Sequence, residues 1–443
     1  MATRTPALSP RALLLAAAIP ILFLHAYYQP GFAINVGSTS INAYLSDFAV
    51  LAVVLTGLVV GLRNGFDALT RGRLIWGAAI VFFVWVFAEV ALGRVHDSGY
   101  SWQTHAVTAA KLLEYALLAP AVALIIRTSA DLLVALWSLT LWSVFATGVG
   151  VAQFFGAPIF FAGTVARRQA SFLSSGDFAA LSCAVLLVGL IAFGFPHLRL
   201  GRRLAIVATA TGILGTIIAG SLAGVLGVLT ALAVLAIVGL VRRELAIQPV
   251  ARVAAAAAIV LVGSIAIRGA DLDAFVRFLG AAPGKQQAQP TKIQTYAHRT
   301  LLVWLGYRIW LDHPVLGVGF EGSAEPDNFE PYIPAAHRRF PDESPNSFPS
   351  RPPRRHYGVQ NLWVQALAGL GVIGFVLTAA VFAAAAWLAG RAALAGRRIG
   401  TIALAWTALL VWLFTAQGFI AGIPLDALTW LALGLAATPE PVA

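Results

Sequence analysis

Cysteine is almost absent. One residue of this kind, Cys183, stands among 443, so neither an intrachain disulfide nor a cysteine-based metal site can form. Charge is scarce too: 11% of residues are Asp, Glu, Lys or Arg, against roughly 25% in a soluble domain. Lysine is scarcer still, with Lys111, Lys285 and Lys292 set among 30 basic residues. HxxxH, CxxC, Walker A and GxSxG patterns are all missing, which removes the usual zinc, thiol-redox, nucleotide-phosphate and serine-hydrolase signatures. No internal repeat of useful strength is visible.

What fills the chain instead is apolar: 59% hydrophobic residues with 12 Trp and 26 Phe, and a mean hydropathy of +0.82. A soluble globule is excluded, because most of this length needs lipid as its solvent. The net charge of +11 therefore calls for a membrane explanation, and nucleic acid is not an expected partner.

Apolar stretches long enough to span a bilayer lie near 12–28, 44–62, 74–93, 108–126, 132–154, 173–195, 203–219, 222–241, 252–268, 360–389, 399–419 and 423–437. The expected fold is all-α: a polytopic membrane protein of about twelve transmembrane helices. The division is 1–268 (helices one to nine), 269–358 (one long periplasmic or extracellular loop subdomain with an amphipathic helix) and 359–443 (helices ten to twelve). The nearly uncharged run around Gly220 and Ser221 reads either as two spans or as one long kinked one. The first stretch has a basic flank (Arg4, Arg11) without a small-x-small cleavage site after it, so a retained helix is expected.

With the amino terminus in the cytoplasm, half of the 30 basic residues fall at cytoplasmic span ends, while the short outer loops hold Arg94, Lys111, Arg167 and Arg168. The positive-inside rule thus predicts a multi-pass inner-membrane protein with an even span count and its functional face outside.

Acids within the spans (Asp47, Glu89, Glu114, Asp177, Asp426) each need a partner or a wet cavity, Lys111 with Glu114 being one expected pair. Arg167 and Arg168 sit where the rule disfavours positive charge, which points to a bound anion or to lipid headgroups. Within the outer segment, 292–311 reads as a partly amphipathic helix ended at Pro314, and Glu321–Arg355 as an irregular loop. Arg299 and Arg308 lie on that helix. At about 100° per residue they face opposite ways, leaving Arg299 toward a ligand and Arg308 beside Trp310. Asp312-His-Pro-Val-Leu-Gly-Val-Gly319 is a helix stop whose glycines suit either a tight turn or a phosphate cradle. His356 lies one turn before Gln360 and Asn361 and has the pKa of a general base; His337 is its rival. Asp271-Leu-Asp273 is either a metal-binding carboxylate pair or a pair of helix acids.

In this order, RRQASFLSSGDFA before a span, R-x4-W from Arg299, DHPVLGVG, and QNLWVQALAGLGVIG opening a span, the chain resembles the O-antigen ligase and polymerase superfamily over roughly 165–375. The resemblance implies an integral-membrane glycosyltransferase that moves a glycan from a polyprenyl diphosphate carrier to a glycan, lipid or protein acceptor on the outer side. It implies diphosphate contacts for Arg168 and Arg299, with Arg167, Arg308, Gln360 and Asn361 as further substrate-binding candidates. His356 is the candidate base, since the family's His-Asn pair is Gln360-Asn361 here. The family's Ser-Arg-Gly-like stretch becomes Ser221-Leu-Ala-Gly224. A metal-free, inverting transfer without a cofactor is expected, in which arginines play the part of Mg²⁺. A lipid-linked oligosaccharide flippase and a non-catalytic polysaccharide assembly protein are the alternatives; the former usually shows two similar halves.

Overall fold

The computed structural model describes residues 9–36, 39–96, 99–160, 168–244, 246–278, 296–340, 350–351, 355–356, 358–419 and 422–440. Its helices in chain order are α1 (Pro10–Leu22), α2 (Leu45–Asn64), α3 (Arg73–His96), α4 (Trp102–Ala116), α5 (Leu118–Ile125), α6 (Ser129–Phe154), α7 (Ser175–Gly194), α8 (Arg202–Ala219), α9 (Leu222–Val241), α10 (Ile247–Phe278), α11 (Tyr296–Asp312), α12 (Pro326–Phe329), α13 (Ile333–Arg339), α14 (Leu362–Leu394), α15 (Arg398–Leu413) and α16 (Pro424–Ala437). Among the described residues nine helical stretches are long and apolar enough to cross a membrane, α4 and α5 counting as one, and α1, α15 and α16 are shorter apolar helices. Each expected stretch overlaps one of them. The protein is an all-α polytopic membrane protein.

Three of the five span acids, and Asp131 with them, lie at helix starts, while Glu89 and Glu114 lie within α3 and α4. Asp47, Asp131, Asp177 and Asp426 all occupy the third position of their helices, where a carboxylate accepts from orphan backbone N–H groups and meets the positive end of the dipole. Asp47 accepts from the Tyr44 amide at 2.8 Å and Asp131 from the Thr128 amide at 2.9 Å. The expected pairing of Lys111 with Glu114 is corrected: the Lys111 ammonium reaches Asp47 at 2.9 Å, across from α4 to the start of α2.

The centre of the bundle is α7, buried from Asp177 to Ile191 and packed by α6, α8, α9, α10, α15 and α16. Its approach to α8 is close because Gly212 and Gly215 present bare backbone to Leu186 and Ser182, the small-residue packing that lipid-embedded helices use in place of a hydrophobic drive. At the periphery Leu51, Leu55, Ile259 and Val262 are exposed, as helices facing hydrocarbon require.

The ambiguous run at Gly220 is two helices. Gly220 adopts φ +58°, ending α8 in a left-handed turn, and Ser221 caps α9 by accepting from the Gly224 amide at 3.1 Å.

One loop carries strands, and one expectation about the loops changes. A hairpin of β1 (Gly31–Val36) and β2 (Thr39–Tyr44), with Gly31 opposite Tyr44, fills the first loop. The stretch after Glu321, read as irregular, carries α12 and α13, which pack Phe329 and Ala336 onto Leu301, Leu302 and Leu305 of α11. Its prolines stand at the first positions of these short helices rather than breaking them.

Candidate functional site

The segment DHPVLGVG and the opening of α14 form one backbone lock. Gly371 has φ +66° and ψ −170°, a conformation that interrupts α14, so nearby peptide groups lose their helical partners. The chain at 314–318 supplies replacements: the Val318 amide donates to the Ala368 carbonyl at 3.0 Å, and the Val372 amide to the Pro314 carbonyl at 2.9 Å. A side chain at Gly371 would stand 1.9 Å from the Val315 oxygen. Of the two readings of the glycines in DHPVLGVG, the tight turn is the one that the geometry matches: Gly317 lies against Gly369.

Around this lock the loops are tied down by buried polar contacts. Gln365 of α14 donates to Glu321 at 2.9 Å and accepts from the Phe419 amide at 2.7 Å. His105 of α4 meets Glu325 at 2.9 Å. Asn361 caps α14, accepting from the Val364 amide at 3.1 Å while its own amide donates to the Thr415 carbonyl at 3.1 Å.

Beside these loops opens a cavity of about 250 Å³. Its wall is made by Arg168, the turn Gly220–Ala223, Leu226, Phe275 of α10, Arg299, Thr300 and Val303 of α11, and Thr415–Ala416. Arg168 and Arg299, far apart in sequence, face the same space. Arg168 is buried and its Nε donates to the Ala219 carbonyl at 3.3 Å. Arg268, not singled out from the sequence, is also buried; its Nη1 donates to the Gly220 carbonyl at 2.8 Å and its Nε lies 2.5 Å from Asp271. Two guanidiniums thus occupy the carbonyl end of α8, while the amide end of α9 opens on the cavity through Ser221, Leu222 and Ala223. An α-helix N-terminus carries roughly half a positive charge and binds anions, so the cavity is electropositive from three directions. In the sequence the start of α9 stood out as an ambiguous span boundary and as the stretch where the family's Ser-Arg-Gly-like pattern is altered, not as an anion site.

The other candidates fall elsewhere. Arg308 is exposed on the far face of α11 and stacks over Trp304 at 6.0 Å, not beside Trp310, whose indole donates to Pro314; an i−4 neighbour shares a helix face where an i+2 neighbour does not. Gln360 is half-buried before α14 and is not among the cavity's lining residues. Asn361 acts on the cavity through Thr415. Arg167 lies outside the described residues. The backbone of His356 pairs with Ser350 in a short strand, and its side chain too lies outside the described part. Asp271 is engaged by Arg268, and among the described residues no three His, Cys, Asp or Glu side chains cluster closely enough to hold a metal ion. His298, next to Arg299, is buried; burial first, and then the neighbouring guanidinium, push its imidazole down to about 4.

Residues 204–379 match the family model described as O-antigen ligase. The match, over about two fifths of the chain, supports the O-antigen ligase/polymerase superfamily for the segment that carries it. The matched ligase segment runs from the start of α8 to the middle of α14, so it takes in the α8–α9 turn, α10, α11 and the lock, and leaves out Arg168 and the loop at 415–416. No curated protein matches the chain.

Proposed function

We propose that this protein transfers a glycan from a polyprenyl diphosphate carrier to an acceptor hydroxyl at the outer face of the inner membrane, with inversion and without metal. The observation that carries the reading is the meeting of Arg168, Arg299 and the N-terminus of α9 on one cavity. In the transfer the acceptor oxygen bonds to the anomeric carbon as the bond from that carbon to the phosphate oxygen breaks. The electron pair leaves with the diphosphate, and the acceptor's proton passes to a base, the role given to His356. Charge grows on the leaving diphosphate, and pre-placed donors that meet growing charge lower the barrier most.

The cavity's size supports the division of labour. At about 250 Å³ it falls below the roughly 300–1,000 Å³ of sites that enclose whole ligands, so it takes the diphosphate while the polyprenyl tail and the glycan extend beyond it.

Turnover of lipid-linked glycan by the purified protein tests this. Arg168→Ala and Arg299→Ala each lower it by about 10²- to 10³-fold, the cost of removing one transition-state donor, with protein level unchanged. Turnover persists in the presence of a chelator. A requirement for divalent metal together with abolition by Asp271→Ala refutes the metal-free mechanism, and unchanged turnover in both arginine variants refutes the site.

A further inference from the structure

The opposite end of α14 carries a second charged cavity, and we propose that it binds the phosphate of an anionic phospholipid from the leaflet remote from the Arg168 site. The α14 register from Leu362 to Arg391, at 1.5 Å per residue, separates the two ends by about 40 Å, so the two cavities serve different faces of the membrane. The second one has a volume of about 530 Å³ and is lined by Arg71 and Arg73 before and at the start of α3, Arg391 at the end of α14, and Arg397 at the start of α15, with Trp387 and Leu74 on its apolar side.

Three arginines at this end of the bundle have acids. Arg11 pairs with Asp131, Arg242 with Glu244 and Arg398 with Glu440. Among the described residues none of Arg71, Arg73, Arg391 and Arg397 makes an ion pair, and the buried Nη1 of Arg71 has no hydrogen-bond acceptor. Glu440, the acid whose field reaches Arg71, pairs with Arg398 through Oε1 and makes no ion pair with Arg71. A buried guanidinium nitrogen without an acceptor is costly, and four arginines around one cavity, Arg71 half-buried and the other three exposed, repel each other unless an anion joins them.

The shape names the anion. Trp387 is 59% exposed and lies under Arg391, with 5.9 Å between the guanidinium carbon and the ring centroid, and Leu74 is 50% exposed. An aromatic ring beside arginines at a helix end is an interfacial anchor, and basic pockets between spans hold phospholipid headgroups with the acyl chains running down the apolar rim. A soluble phosphate would use the arginines and leave the apolar rim without a function.

The test uses the full-length protein in nanodiscs of phosphatidylcholine with and without phosphatidylglycerol. Phosphatidylglycerol retention is read by native mass spectrometry and the unfolding midpoint by heating. The wild type retains phosphatidylglycerol and gains several degrees. Arg71→Gln and Arg391→Gln each weaken retention by about tenfold, the worth of one charge-assisted bond, with midpoints in pure phosphatidylcholine close to wild type. Arg391→Lys, which keeps the charge, retains more lipid than Arg391→Gln and guards against a simple folding defect. Equal retention by wild type and both glutamine variants overturns the site. A midpoint that rises with inorganic pyrophosphate in pure phosphatidylcholine, and not with phosphatidylglycerol, overturns the lipid and leaves a soluble-phosphate site. Neither readout involves glycan turnover, so the outcome is independent of the Arg168 cavity.

Discussion

Replacing Gly371 by alanine tests whether the lock between the 314–318 segment and α14 holds the loops around it in place. The backbone there, at φ +66° and ψ −170°, belongs to a region essentially reserved for glycine, and a side chain in it costs about 1–3 kcal/mol. The added methyl would stand 1.9 Å from the Val315 oxygen, so the two strands must part. Parting them removes the bonds from Val318 to Ala368 and from Val372 to Pro314, each worth about 1 kcal/mol net. The sum is a loss of about 3–5 kcal/mol, large against the total stability of a domain. Gly390 on the same helix is the control: it has open space around its missing Cβ, and Gly390→Ala should be neutral or stabilising by up to about 1 kcal/mol through helix propensity. Trp85 reports directly, since its indole donates to the Leu370 carbonyl at 3.2 Å. In detergent, Gly371→Ala is expected to lower the unfolding midpoint and shift tryptophan emission, while Gly390→Ala does neither. Equal midpoints for the two variants refute the assignment of Gly371 to the lock.

Three further outcomes follow from the same geometry. The His298 imidazole is held at about 4 against an ordinary 6.5, so the unfolded chain binds the proton first. Its contribution is constant above pH 6.5 and stability falls as pH drops from 6.5 toward 4, by at most about 3 kcal/mol; His298→Gln should flatten that part of the stability profile, and an unaltered slope counts against the buried neutral imidazole. Asn361→Asp keeps an acceptor for the Val364 amide but has no donor for the Thr415 carbonyl. It is expected to spare the unfolding midpoint and lower turnover, whereas Asn361→Ala also loses about 1 kcal/mol of cap; full turnover in Asn361→Asp separates Thr415 from the site. Arg268→Ala frees the Gly220 carbonyl, and is expected to raise the KM for the lipid-linked donor more than it lowers kcat, because Arg268 positions the turn; an unchanged KM argues against that role.

How far the sequence reached depends on the range of the physics. Span positions were legible because hydropathy over some twenty residues is a local property, and α7, α9 and α14 fall where the apolar runs lie. The opposition of Arg299 and Arg308 was legible for the same reason: helical periodicity alone assigns their faces, and Arg299 lines the cavity while Arg308 is exposed. What failed needed knowledge of distant partners. Lys111 has Glu114 three residues away, yet Asp47, 64 residues distant, takes the charge, since the packing of α4 near the start of α2 is not written in either segment. The short helices after Glu321 were hidden by proline and acidic residues that read as loop, although those same prolines suit a helix's first position.

Arg268 shows why a departure from the family pattern at one stretch does not by itself predict a missing charge. The superfamily's Ser-Arg-Gly-like stretch is Ser221-Leu222-Ala223-Gly224 here, without arginine. The turn still needs a cation, because Ala219 and Gly220 leave carbonyls at the negative end of α8 with no helical partners. Arg168 takes the first and Arg268, from α10, takes the second. Asp271 pairs with Arg268 at 2.5 Å, so its charge is largely spent within the protein and its contribution is to hold Gly220 in its left-handed turn. That turn aims the start of α9 at the cavity. The anion is then left to Arg168, Arg299 and the α9 amides, and the absence of an arginine from the 221–224 stretch alters which helix anchors the turn more than the sign of the field that a diphosphate would meet.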